Sequence, residues 1–543
     1  MLKRRFLFMA VLGLATLSAP ARMSAADAPA APTLIIRVRS IDSLLADLKY
    51  LTSVAGRGDE AKQLDAQLKK VFPKGFQGID SKRPLGLYAS LDADGVVKET
   101  KGVVLLPVSD EKTFIGVLEN FNLKPAKDDD GIYTISDNVP FPIHLRFVNN
   151  YAYFSANHKS PLDKDKLIPP GKIFSESYPE LISASFRIDQ IPDTHRKLAI
   201  GAAEVHISSV EEEKPAGETQ AQHEFKVQAA REITRHLETV LKEGEELTVR
   251  LDVNRTAREL AVELSLSGKP ASSIASTFRA LGSSESAFAG LLSADAALNL
   301  IVHGALPEHL RKALSPVIDE GARTGLEKEK DPARRAQAEK LLKALSPSLK
   351  SGELDAAVTL RGPSESKHYT LVAALKLKDG NDIDGVVRDL IKGLPEDARK
   401  LIKLDADSAG EVKIHRLDVQ QAFDADARKT FGDNPFYIAL RADALLVAGG
   451  EGGLHALKEA LSAKPGVAPP VELDLSLARF VPLMGKKQKA DPAAAAQKAF
   501  GDDKEHDKLH VRLEGGKALK ISVKMDAAVL KFFGLMENKK SRD

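Results

Sequence analysis

Cysteine is absent from the 543 residues, which excludes disulfides, thiolate metal sites and cysteine nucleophiles together. Tryptophan is absent too, and the aromatics amount to 21 Phe and 8 Tyr. So few rings argue against stacking platforms for bases or sugars. Neither sign of charge dominates: 78 Lys and Arg stand against 76 Asp and Glu, a formal net charge of +2. That balance excludes a polybasic nucleic-acid binder. After the first residues no apolar run approaches the roughly 18 needed to cross a bilayer, so no later membrane span is expected.

What is present is the composition of a folded protein, 43% apolar and 28% charged. At about 100–200 residues per domain, the length predicts two to four domains. Residues 1–26 read as a secretory signal peptide. Lys3, Arg4 and Arg5 form its charged start, Phe6 to Leu17 its apolar run, and Ser24-Ala25-Ala26 the favoured cleavage site, with Ala19-Pro20-Ala21 as a second. The apolar run is short for a spanning helix, which needs about 20 residues, and no Cys follows it to carry a lipid. Arg4-Arg5 is followed directly by Phe6 and preceded by Lys3, which favours the general secretory route over twin-arginine export. Cleavage after Ala26 removes Lys3, Arg4, Arg5 and Arg22 and no acid, taking the net charge from +2 to −2. The expected location is periplasmic or extracellular.

The order of elements repeats along the chain. Leu34–Leu51, an apolar strand and then an amphipathic helix, is followed in plan by Leu298–Leu314, with Pro307 suited to a first helical turn. A charged helix at Asp59–Phe72 has a counterpart at Asp331–Leu345. Strands Leu85–Leu91 and Gly102–Val108, joined across the turn dipeptide Asp94-Gly95, match Leu354–Leu360 and Tyr369–Leu377. Ser109 is placed to cap a helix with Phe114, Val117, Leu118 and Phe121 on one face; Ile383, Val386, Val387, Leu390 and Ile391 form the second such stripe. Ile143–Asn157 pairs with Phe436–Gly450, and Ile182–Pro192 with Val471–Pro482. The last hairpins contain LTVRLDV from Leu247 and LHVRLEG from Leu509, alike at five of seven positions when Asp and Glu are equated. Helices Pro270–Leu281 and Asp526–Met536 follow them.

These correspondences predict an α+β protein of two tandem homologous domains. The expected sheets are mainly antiparallel, built from hairpin-plus-helix modules with helices packed on one face. The expected boundaries are 33–287, with a helical insertion at about 193–244, and 288–538, with an insertion at about 485–508; residues 539–543 form a tail. The insertions, including a long polar helix at Glu218–Lys242, read as solvated helical excursions.

The strings LGLYASL, KGVVLLPVSDEKTFIGVLENF and FVNNYAYFSAN, within residues 84–157, resemble uncharacterised, internally duplicated exported proteins of bacteria. That resemblance implies export and brings no activity or catalytic residue with it.

Chemistry-bearing motifs are sparse. The 13 histidines form no HxH or HExxH pair; His303/His309 and His506/His510 are the nearest spacings. Lys127-Asp128-Asp129-Asp130-Gly131 and Asp379–Gly385 cluster oxygens, but Ile383 falls on a ligand position and no twelfth-position Glu follows, so both read as turn and cap chemistry. Ser109-Asp110-Glu111-Lys112 and Ser136-Asp137-Asn138 match two of three motifs of penicillin-recognising serine enzymes. The third has only Arg323-Thr324-Gly325 as its nearest string, inside helical sequence. Asn254-Arg255-Thr256 is a sequon in a hairpin turn. The best anion-site candidate is the turn of Gly449, Gly450, Gly452 and Gly453, which follows a strand and opens a helix. It lacks the G-x-G-x-x-G spacing, so a tight turn explains it as well.

The expectation is therefore a non-enzymatic exported protein that binds a protein or envelope component, or an apolar small molecule, with no cofactor, no metal and no nucleic acid. One alternative is a carrier of a hydrophobic or lipid ligand in a half-barrel-like cavity lined by Phe114/Val117/Leu118/Phe121 and Val529/Leu530/Phe532/Phe533. Another is a hydrolase whose site is assembled from distant loops.

Overall fold

The computed structural model describes residues 31–92, 101–174, 179–484, 491–501 and 506–537. The predicted signal peptide, the Asp94-Gly95 turn and the basic tail lie outside the described residues. The rest is an α+β protein with mostly antiparallel sheet. Its chain forms two compact units. The first takes residues up to 201, then 238–275 and 524–538; the second takes 202–237 and 276–523. The expected single division at 287/288 thus differs from interleaved units. One cause is packing at the carboxyl-terminal helix Ala527–Glu537, where Gly534 lies so close to the Ala55 carbonyl that a Cβ would collide with it. Arg57 adds an ion pair to Glu537 at 2.7 Å.

The first unit contains β1 (Leu34–Val38), β2 (Leu85–Ser90), β3 (Lys101–Pro107), β4 (Ala126–Lys127), β5 (Tyr133–Ile135), β6 (Ile143–Val148), β7 (Tyr151–Ala156), β8 (Ile182–Arg187), β9 (Gly244–Asn254) and β10 (Glu259–Gly268). Their order in the sheet is β10-β9-β8-β1-β2-β3-β7-β6-β5-β4, with every pairing antiparallel. Strands such as LGLYAS and YAYFSA are apolar at successive positions because both faces are covered. Leu87, Val104 and Phe154 pack with Phe114 and Leu118 of the helix Glu111–Asn120. Tyr88, Val103, Leu105 and Tyr153 point the other way, beneath Leu162, Ile173 and their neighbours. The helix cap differs from expectation: the helix starts one residue later, so Asp110 caps it, accepting the Thr113 N–H at 2.6 Å.

The second unit contains β11 (Glu285–Ser286), β12 (Ala296–Ala305), β13 (Glu353–Arg361), β14 (Thr370–Lys376), β15 (Ile402–Ala409), β16 (Val412–Leu417), β17 (Phe436–Arg441), β18 (Ala444–Gly450), β19 (Gly466–Val467), β20 (Val471–Ser476) and β21 (Lys508–Glu514). Its main sheet runs β21-β20-β12-β13-β14-β18-β17-β16-β15, again antiparallel at every step. β11 and β19 form a separate short ladder. Here helices cover both faces. Ile383 of the helix Gly380–Lys392 packs with Leu440 and Leu445, while Ala456, Leu457 and Ala460 of the helix Gly453–Ser462 pack with Val372, Leu446 and Ala448. The expectation of helices on one face therefore does not describe this unit; Leu445 and Leu446 alternate between two helical layers.

Nine strands of the first sheet follow the same sequential order as nine of the second, and the register follows too. From Arg250 the rung passes through Ser183, Arg37, Gly86, Leu105, Tyr153 and Arg146. From Arg512 it passes through Glu472, Ile301, Ala357, Ala374, Leu446 and Ala439. Arg250 and Arg512 are the arginines of LTVRLDV and LHVRLEG.

Candidate functional site

After β14 the chain turns through Asp379 into the helix Gly380–Lys392. Gly380 is needed there, because a Cβ would strike the Arg441 carbonyl oxygen. The helix's apolar stripe divides its work. Ile383 is buried against Leu377 and Leu440, whereas Val387, Leu390 and Ile391, with Leu394 just beyond the helix, line a cavity of about 400 Å³. The facing wall is Ile402 on β15, His415 and Leu417 on β16, and Ile438 on β17. His415 and Ile438 are direct ladder partners, so their side chains emerge on one face. The helix Pro332–Lys350 contributes Gln337, whose amide nitrogen would be 2.6 Å from a Cβ on Gly393. Glycine at 393 leaves room for that amide.

His415 is the one ionisable residue in the lining, and it is 3% exposed. Its Nδ1 accepts the Asp405 N–H at 3.1 Å, which leaves the ring proton on Nε2, donated to Asp384 Oδ1 at 2.9 Å. Arg388, one turn after Asp384, donates its Nε–H to Asp384 Oδ2 at 2.6 Å. Its two amino groups donate to Asp405 at 2.8 and 2.6 Å, a bidentate pair. Asp405 reaches this position because β15 shifts register between Lys403 and Asp407, with Asp405 at φ 52°. Burial opposes ionisation of Asp384, yet hydrogen bonds from Arg388 and His415 outweigh it and hold the carboxyl below its ordinary value. Arg388 likewise holds Asp405 down through their hydrogen bonds, and is itself held more firmly protonated. The result is an apolar cavity backed by a charged but internally paired wall.

The glycine turn has a different character. Gly449 packs under the Phe436 ring and Gly450, at φ 94°, against the Tyr369 carbonyl; a Cβ would collide in either place. Gly452 takes φ 74° as the residue before the helix, and Gly453 begins it. Between Gly450 and Gly452 stands Glu451, whose Oε2 accepts hydrogen bonds from Ser364, at 2.6 Å, and from Ser366. These bonds, that from Ser364 first, hold the Glu451 carboxyl below its ordinary value. An anion at this turn would have to share it with that carboxylate. His368 Nδ1 is 3.9 Å from Glu451, and the serine hydroxyls donate to the carboxylate, so this cluster is not arranged as a nucleophile and its base.

Other motifs resolve into structural roles. Asp128 accepts from the Ile132 N–H at 2.8 Å and from Lys159 at 2.9 Å, a turn closed by Gly131 at φ 81°. Asp379–Gly385 lies across a helix start, and Asp384 faces His415. Ser109 and Lys112 flank the Asp110 cap, and Arg323-Thr324-Gly325 lies within the helix Glu308–Lys328. Asn254 Oδ1 accepts from the Thr256 and Ala257 N–H groups, an Asx-type turn. His303 bonds the Ala468 carbonyl at 3.0 Å, and His510 pairs with Asp474. Among the described residues no group of three His, Cys, Asp or Glu could hold a metal, and no helix is long and apolar enough to cross a membrane. Of the apolar faces expected to line a carrier's cavity, Phe114, Leu118, Val529 and Phe532 are fully buried in packing. Phe533 is exposed.

Sequence spacing named the apolar stripe of this site and missed its polar half. The available signal was Asp384 and Arg388 at i, i+4 on the same helix. The partners His415 and Asp405 come from a hairpin, and although its β15 strand, IKLDADSA, alternates apolar and polar residues from Ile402 to Asp407, that pattern does not announce the register shift that brings Asp405 to His415. No protein-family model, curated protein or solved structure matches this chain.

Proposed function

We propose that this is a non-enzymatic binding protein made of two copies of one α+β unit, with the ligand held in the apolar cavity of the second unit. The cavity carries the reading: about 400 Å³, walled by Val387, Leu390, Leu417 and Ile438, within the usual range of small-molecule sites of roughly 300–1,000 Å³. The common strand order and rung register of the two sheets support duplication, since nine strands in one unusual order do not recur by amphipathicity alone. The positively charged start, apolar run and small residues of the first 26 positions support export of the chain. In this reading the cargo is an apolar small molecule, and delivery or storage outside the cytosol is the task.

Titration with diphenylhexatriene, a hydrocarbon that fluoresces when sheltered from water, tests the site. The expected outcome is saturable binding at one site, abolished by Leu390→Phe or Ile438→Phe, which fill the cavity while adding only apolar volume. No saturable binding to the intact chain, or undiminished binding to both filled variants, overturns the proposal.

A further inference from the structure

Resting on that reading, we infer that the cavity takes an uncharged chain carrying one hydrogen-bonding group, such as an alcohol, ester or amide, and that Gln337 seats this group. Gln337 and His415 are the polar residues of the lining. Both ring nitrogens of His415 are already engaged, one by Asp384 and one by the Asp405 N–H, so the imidazole offers the cavity a ring edge and no free donor or acceptor. The Gln337 amide has no hydrogen-bond partner in the chain among the described residues, and its nitrogen stands over Gly393 at the cavity's side.

Charge excludes the commonest alternative, a fatty-acid carboxylate. Arg388 faces two carboxylates, Asp384 and Asp405, and Lys413 acts on Asp405 from outside the lining. With His415 neutral, that cluster carries one net negative charge. A carboxylate head entering the cavity would lose hydration and meet a wall of its own sign. A neutral head loses far less water, and an amide can both donate to it and accept from it. A cationic head would be attracted by that net charge, but it must shed its hydration and finds Asp384 and Asp405 each already bound by Arg388.

Displacement of bound diphenylhexatriene by 1-decanol and by decanoate at pH 8 separates the possibilities. Decanol should displace the probe at a concentration at least tenfold below decanoate. Gln337→Leu should weaken decanol by roughly fivefold relative to the hydrocarbon probe measured on the same variant, the worth of one neutral hydrogen bond, with circular dichroism reporting that the variant is folded. Equal displacement by decanoate overturns the charge argument, and an unchanged decanol affinity in Gln337→Leu overturns the seat. Failure of the probe itself to bind the unmodified chain overturns the cavity reading beneath both.

Discussion

The same rungs of the two sheets carry the same kinds of position but not the same space. Counted from the β6–β7 and β17–β18 hairpins, Leu145 stands where Ile438 stands, and Tyr133, paired with Leu145, stands where His415 does. Counted from their caps at Asp110 and Asp379, Leu118 and Phe121 match Val387 and Leu390. In the first unit Leu118, Ile135 and Leu145 are no more than 1% exposed, and Phe121 meets Phe72 edge-on at 6.0 Å. Phe114 adds contacts to Phe147 and Phe154 at 6.0 and 6.2 Å. In the second unit Val387, Leu390, Leu417 and Ile438 are aliphatic and half-buried, His415 is buried, and together they border a cavity. Phe121 fills in one unit the position that Leu390 holds in the other, and the cavity left in the first unit, about 350 Å³ lined by Asp110, Glu111, Lys112, Ile115 and Tyr133, has a largely polar wall where the second has an apolar one. Opening a cavity of this kind needs no new fold, only smaller side chains on rungs that already face a helix.

The largest expected effect tests this contrast directly. Leu145→Ala should cost about 3–4 kcal/mol, because it leaves a void in a closed core. Ile438→Ala, at the matching rung, should cost about 1 kcal/mol, since its side chain already borders open space. Urea unfolding of both variants, followed by circular dichroism, checks the pair; equal losses would erase the distinction between the two sites.

A second, intermediate effect concerns the polar wall that the first unit lacks, where Ile115 stands at the cap-counted position of Asp384. Removing Arg388 as Ala should cost about 1–3 kcal/mol, because two carboxylates then face each other and His415 without their cation. The acid dependence sharpens the point. Asp384 and Asp405 titrate below their ordinary value of 3.8 in the folded chain, so their contribution is complete above that value and is lost as pH falls through the lower folded values. Stability of the unmodified chain should therefore decline on acidification below about pH 4, and Arg388→Ala should flatten that decline, measured by urea midpoints between pH 7 and pH 2.5.

A further effect is expected at the glycine turn. Gly452→Ala has open space around its Cβ and suffers only from φ 74°, a cost of about 1–2 kcal/mol. Gly450→Ala adds a collision with the Tyr369 carbonyl to a similar backbone strain and should lower the thermal midpoint further than Gly452→Ala.

Much of the architecture could be read from residues alone. The Leu34, Ile143 and Ile182 strands and their partners at Leu298, Phe436 and Val471 occupy matching rungs, because alternating or continuous apolar runs bounded by turn residues leave little freedom of register. The Asn149-Asn150 turn joins the strands Ile143–Val148 and Tyr151–Ala156 in one hairpin. What escaped was polar and tertiary. β15 joins the sheet with alternating charged residues, and Asp405 takes a positive φ at a register shift, which no periodicity announces. Gln337 lies 78 residues from His415 in sequence and reaches the cavity through helix packing. The interleaving of the two units was equally hidden, since a helix such as Ala527–Glu537 bears the same apolar stripe whichever sheet it covers.

That last helix has a consequence for how the molecule comes into being. On a ribosome the strand Leu34–Val38 emerges well before the helix Ala527–Glu537 that Ala55 and Arg57 receive. The first unit must therefore wait for residues 524–538 to be made before it is complete, and a premature stop near residue 520 would injure the part of the protein that was made first.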